Sequence, residues 1–181
     1  MSLGTGSASL GGTASPADSP RFLADTMLGR LARWLRVLGF DTRYEPALTD
    51  PALVALSRRD GRVLLTRDRR LLRDLRPELA LEVTRDEPLA QLRDVIERLA
   101  LRPPAELFTR CLLCNAPLDA VAHAEAMTLL PPAARQLPGP VRRCPTCGRV
   151  YWPGSHARRM RSALRDALPA WLPDQLGDHP C

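Results

Sequence analysis

Apolar residues follow two alternating rhythms between residues 21 and 101. Short apolar runs at Arg21–Asp25 (RFLAD), Thr42–Glu45, Arg62–Thr66 (RVLLT) and Leu79–Thr84 read as strands. Between them leucines recur at three- and four-residue steps, the period of one helix face. Leu28, Leu31, Leu35 and Leu38 mark a helix over Met27–Leu38, stopped by Gly39. Asp50-Pro51 supplies a cap and a proline at the first helical position, which predicts a helix to about Arg59. Asp60-Gly61 then turns the chain. Asp68 opens a helix containing Leu71, Leu72 and Leu75, and Asp86 caps another to about Leu101, with Leu89, Leu92, Ile96 and Leu99 on one face. Strands alternating with helices predict an α/β domain with a parallel sheet and right-handed crossovers. Arg102-Pro103-Pro104 breaks the pattern. From Cys111 the texture changes to short turns, proline and cysteine, with a loop over 131–140. Ser155 is the expected cap of a last helix, His156–Leu168. No internal repeat is visible.

The acidic residues fall at informative places in this pattern. Asp25, Asp50, Asp68 and Asp86 each sit just past a predicted strand, at or near the start of the next helix. In a parallel sheet these positions share one edge, where open α/β folds hold their sites. Asp41 and Asp60 belong to the opposite edge, and Asp74 lies within a helix. Carboxylates from separate strand ends suit Mg²⁺ or Mn²⁺, which take oxygen ligands. Such an ion activates water and offsets charge on a leaving oxygen in phosphodiester cleavage. Each Asp taken singly is also a good helix cap, so for Asp50 and Asp86 a capping role stands beside the catalytic one.

Charge location sharpens this reading. All 26 basic residues are Arg and the formal net charge is +6. Coding bias alone can produce an all-Arg composition, so position carries more than number. Residues 21–76 hold 13 Arg against 7 acidic residues, which accounts for the excess. A positive surface around an acidic pocket is what a phosphodiester-cutting site needs. Arg30, Arg33 and Arg36 recur every three residues on the first helix, either to grip RNA phosphates or as a solvated face. Trp34 and Leu35 beside them read as core. No stretch approaches the ~20 apolar residues of a membrane span. Residues 1–20 lack a basic region and a continuous apolar core, so they read as a flexible tail and not a secretory signal.

Cys111-x-x-Cys114 and Cys144-x-x-Cys147 form two knuckles separated by 29 residues. In a chain without a leader such pairs favour metal over disulfides and a cytoplasmic setting. Asn115 and Gly148 follow the knuckles, where turn-prone residues let backbone amides point at sulfur. Four thiolates around tetrahedral Zn²⁺ make a closed, structural site; a redox dithiol or an iron–sulfur cluster are the other readings. Cys181 is terminal and incidental. Tyr151-Trp152 reads as a ribbon strand packing on the main domain, or as a platform for unpaired bases. His156 precedes a basic helix, as a phosphate or proton-transfer group or a surface residue. His123 has no supporting context.

FLADTMLGRLARWLRVLGFDT, then GRVLLTRDRRLL, CxxCN and CPxCGRVYWPGSH occur in order over about residues 21–165 and resemble the Mut7-C RNase family. The resemblance implies a PIN-like three-layer α/β nuclease fold with a parallel central sheet, followed by a C-terminal zinc ribbon. It implies a metal-dependent ribonuclease with catalytic Mg²⁺ or Mn²⁺, structural Zn²⁺ and RNA as partner. Asp25 ends the first strand, Asp50 comes early in the second helix, and Asp68 completes the T-x-D signature Thr66-Arg67-Asp68. These three match the ion ligands, Thr66 a hydrogen-bonding helper and Asp86 a variable fourth position. Arg67 joins Arg30, Arg33 and Arg36 as an expected RNA contact. The expected organisation is a tail over 1–20, a nuclease domain over 21–105, a ribbon and final helix over 106–168, and a tail over 169–181. PIN-like domains can also persist without catalysis, so an RNA-binding or adaptor protein is the competing expectation.

Overall fold

The computed structural model describes residues 19–171; the expected tails fall largely outside the described residues. The four expected strands form β1 (Phe22–Ala24), β2 (Thr42–Tyr44), β3 (Val63–Thr66) and β4 (Ala80–Glu82). All pairs are parallel and the order across the sheet is β2-β1-β3-β4. The intervening helices are α1 (Gly29–Val37), α2 (Asp50–Asp60), α3 (Arg69–Leu75) and α4 (Pro88–Arg98). A 3-10 turn, Thr26–Leu28, makes the entry to α1 tighter than the leucine spacing predicts.

Side chains alternate across the sheet, as strand geometry requires. Phe22, Ala24, Leu65 and Leu81 face a core built with Leu31 and Leu35 of α1 and Leu92, Val95 and Ile96 of α4. Leu23 and Leu64 face the other way, against Leu53 and Leu56 of α2 and Leu71 of α3. The sheet is therefore the middle of three layers. Each fully buried leucine contributes on the order of 1.5–3 kcal/mol, so these layers, and not the polar groups described below, hold the domain together.

Two expected caps are displaced. Thr49 occupies the cap position of α2 and Asp50 is its first helical residue, with no capping side-chain bond. Its charge still lies favourably near the positive helix end. Glu87, not Asp86, precedes α4, because Pro88 takes the first helical position, where a missing N–H costs nothing.

The cysteine-rich segment forms a small antiparallel sheet, β5 (Asp119–Ala120), β6 (Arg142–Arg143) and β7 (Val150–Tyr151), in that order. A short helix, α5 (His123–Leu129), and a 3-10 turn at Pro132–Ala134 stand where the sequence predicts no element. Their packing is slight: Ala126, Leu130 and Ala134 make a local core of their own. The final helix, α6 (Ser155–Ala167), follows Gly154 at its cap position, so Ser155 is the first helical residue and not the cap. Met160 and Leu164 of α6 join the main core, together with Leu107 and half-buried Phe108. No helix among the described residues is long and apolar enough to cross a membrane.

Candidate functional site

The strand order creates the site. β1 and β3 are neighbours, but the chain leaves β1 toward β2 on one side and β3 toward β4 on the other. Their loops diverge above the carboxyl ends of β1 and β3, at the topological switch point where folds of this kind place a crevice. Asp25 follows β1 there, and Thr66-Arg67-Asp68 follows β3.

One hydroxyl joins the two. Thr66 is fully buried and donates from Oγ1 to Asp25 Oδ2 at 2.5 Å. The same oxygen accepts the Asp68 amide at 2.9 Å. Asp25 is 5% exposed. Its Oδ2 also accepts the Arg67 amide at 3.0 Å, and its Oδ1 accepts the Met27 amide at 2.9 Å. Asp68 is half-buried and caps α3, its Oδ1 accepting the amides of Arg70 and Leu71 at 2.7 and 3.1 Å. Asp68 thus caps α3 with its carboxylate while its amide is tied to Asp25 through Thr66.

The other predicted carboxylates lie further out. Asp86 is 85% exposed in its side chain and accepts from the Arg67 guanidinium at 2.6 Å. Asp50 is exposed at the start of α2, beyond β2. Among the described residues, the four cysteines are the one group of three or more His, Cys, Asp or Glu whose ligand atoms all lie within 4.8 Å of one another. The carboxylates of Asp25, Asp50 and Asp68 therefore do not form a closed cage around a single ion.

The arginines separate. Arg30 and Arg33 are exposed on α1. Arg36 is buried, and its expected role on RNA phosphates is corrected. Its Nε donates to the Thr42 carbonyl at 2.9 Å, and its Nη1 to the carbonyls of Leu112 and Leu113 at 3.0 and 2.8 Å. The helical period explains the split: residues three apart slip by about 60° per step, so two steps turn Arg36 away from Arg30. Burial pushes its guanidinium below the usual range, opposed by the charges of Cys111 and Cys114.

Arg36 leads to the second site. Cys111 and Cys147 sulfurs lie 3.6 Å apart, and Cys114 and Cys144 sulfurs 3.4 Å. Tetrahedral zinc with bonds of about 2.3 Å needs sulfurs about 3.8 Å apart, so the donor set fits. Both knuckles have the same backbone. Cys114 and Cys147 amides point at the sulfurs of Cys111 and Cys144, and Asn115 and Gly148 take φ of +68° and +71°, a region favouring Gly and Asn. The Tyr151 hydroxyl accepts the Leu112 amide at 3.0 Å and donates to Cys111 sulfur at 3.1 Å. Burial opposes ionisation of Cys111, but the Cys114 amide and Tyr151 outweigh it and lower the thiol to about 6. Burial pushes Cys114 up to about 12.

This centre clasps the end of the sheet away from Asp25 and Asp68. Asn115 accepts the Thr42 amide, at the start of β2, at 3.0 Å and donates to Asp41 Oδ1 at 2.7 Å. Arg62 grips the same carboxylate with two bonds, 2.7 and 3.2 Å. Asp41 and Asp60 thus occupy the opposite edge, as the sequence predicts. Asn115 carries a turn signal in the sequence; its side-chain bond to the sheet, and the Tyr151 hydroxyl on sulfur, carry none.

A parallel α/β sheet with carboxylates at its switch point and a four-cysteine centre at its other end defines a metal-binding α/β protein. The chain belongs to the Mut7-C RNAse domain family, whose model matches residues 20–164, and a nuclease-like function follows from that membership. No curated protein and no solved structure matches the chain.

Proposed function

We propose that the protein is a metal-dependent ribonuclease of PIN-like type acting at the Asp25–Asp68 crevice, in a cytoplasmic setting. The observation that carries this reading is the Thr66 hydroxyl, which ties the buried Asp25 carboxylate to the residue bearing the Asp68 carboxylate. Asp25 has three donors for about four lone-pair sites. Oxygen donors of this kind fit Mg²⁺ or Mn²⁺, which bind through one or two carboxylates, retained waters and substrate phosphate. An ion bound there supplies charge for the phosphoryl oxygens and an activated water. Asp25 and Asp68 would hold such an ion, with Asp50 as an outer acidic group. Arg67, paired with Asp86, would offer its fork to a phosphate edge. Exposed Arg30 and Arg33 attract the RNA strand.

The test is cleavage of labelled single-stranded RNA by zinc-loaded protein, with Mn²⁺ supplied or omitted. Asp25→Asn and Asp68→Asn should remove cleavage while circular dichroism and zinc content stay unchanged. Full cleavage by the double variant overturns the reading. A non-catalytic RNA-binding role is the second reading, favoured by one observation: both oxygens of Asp25 already accept bonds from the protein itself. RNA binding without cleavage under any divalent ion selects it.

A further inference from the structure

A cleft of about 510 Å³ lies between the ribbon and α6, away from the carboxylates. Its size falls in the range of roughly 300–1,000 Å³ that holds a small organic ligand. Phe108, Tyr151 and Trp152 supply aromatic surface to its wall. The Arg161 guanidinium lies 5.5 Å over the Phe108 ring, a flat cationic surface on which a base can stack. The Tyr151 ring is fixed by its hydroxyl on Cys111 and Leu112. Trp152 lies against Gly154 so closely that a Cβ there would meet the indole nitrogen at 2.8 Å.

Charge in the wall is arranged for an anion. Glu106, the acidic residue of the lining, pairs with Arg142, which also donates to the Leu107 and Phe108 carbonyls. The first turn of α6 forms part of the wall, and no side chain caps it. That helix carries Arg158, Arg159, Arg161 and Arg165 against the single acid Asp166. Its direction matters too. Arg93, the middle residue of α4, donates to the Ala167 carbonyl at 3.2 Å, so α6 ends beside the middle of α4. It begins at the cleft. A basic helix about 20 Å long therefore runs from the cleft to the middle of α4.

We propose that this cleft holds one unpaired nucleotide of an RNA strand. The base lies on the surface made by Phe108, Arg161, Tyr151 and Trp152, the phosphate at the first turn of α6, and the strand continues along α6. The inference rests on the RNA reading given above and adds a specific anchoring site to it.

The experiment uses the zinc-loaded full chain without Mg²⁺ or Mn²⁺ and a single-stranded RNA carrying 4-thiouridine. Irradiation followed by peptide mapping should find adducts on Phe108, Tyr151 or Trp152. Ala157→Trp, which fills the cleft, should weaken binding roughly tenfold in fluorescence anisotropy, and Arg161→Gln should weaken it in the same direction. Adducts confined to other surfaces, or unchanged affinity in a folded Ala157→Trp protein, overturn the proposal. So does competition by adenosine monophosphate alone at the RNA's own concentration, which marks a free-nucleotide site. The two readings fail separately: RNA cleavage without a cleft adduct removes only the anchor, and a cleft adduct without cleavage under any divalent ion removes only the nuclease.

Discussion

The Thr66 hydroxyl stands 2.5 Å from the Asp25 carboxylate, the closest polar contact at the switch point. Its oxygen also accepts the Asp68 amide. Thr66→Val keeps the shape and removes both bonds, leaving the half-buried Asp68 amide without an acceptor. Stability should fall by roughly 1–3 kcal/mol. Cleavage should fall by roughly 10–100-fold, as when a supporting bond to a metal ligand is lost. Thr66→Ser should restore most of the activity; denaturant melts and cleavage rates check both.

Asp86 touches the site only through Arg67. An exposed pair of this kind is worth about 0.2–1 kcal/mol. Asp86→Asn should change cleavage no more than a few-fold, against complete loss for Asp68→Asn. Loss of equal depth at Asp86 would make it an ion ligand and not a support for Arg67.

Arg36→Met should destabilise the fold without touching the chemistry. Its three carbonyl acceptors join α1, the start of β2 and the first knuckle. A buried polar group left bare costs about 1–3 kcal/mol, so the melting temperature should drop by several degrees. Zinc release to a chelator should quicken, while RNA affinity of the folded protein stays the same. A specific loss of RNA affinity at constant stability would restore the phosphate role.

Zinc removal should reach further than the ribbon. Because Asn115 holds the Thr42 amide, releasing the ion should raise hydrogen exchange at β2 before β3. Elemental analysis should find one zinc per chain, and Cys111→Ser or Cys144→Ser should abolish it.

Acid should weaken the Asp41 junction. Burial acts to raise this carboxyl, but bonds from Arg62 and Asn115 outweigh it and hold the group below 3.8. A carboxyl depressed in the folded state stabilises above its unfolded value, and that contribution disappears as pH falls through the folded one. Stability measured from pH 5 to 2 should therefore fall more steeply in the native protein than in Asp41→Asn.

The strands and main helices were legible because apolar period and strand length agree in this half of the chain. That Asp25 and Asp68 follow neighbouring strand ends was legible because parallel strands put their carboxyl ends on one side. What the sequence did not reveal depends on long-range contacts. Arg36 looks like its exposed neighbours until Leu112 and Leu113, more than seventy residues away, supply carbonyls. The placement of α5 escaped notice because its seven residues bury one alanine and make too short a run to establish a helical period. Asp86 looked like a cap because the proline that claims the first helical position lies two residues later.

The clasp at β2 ties the four-cysteine centre to the beginning of an edge strand, at the end of the sheet opposite Asp25 and Asp68. Asn115, Arg36 and Asp41 act as struts there, so the knuckles brace the sheet border that no further strand covers among the described residues.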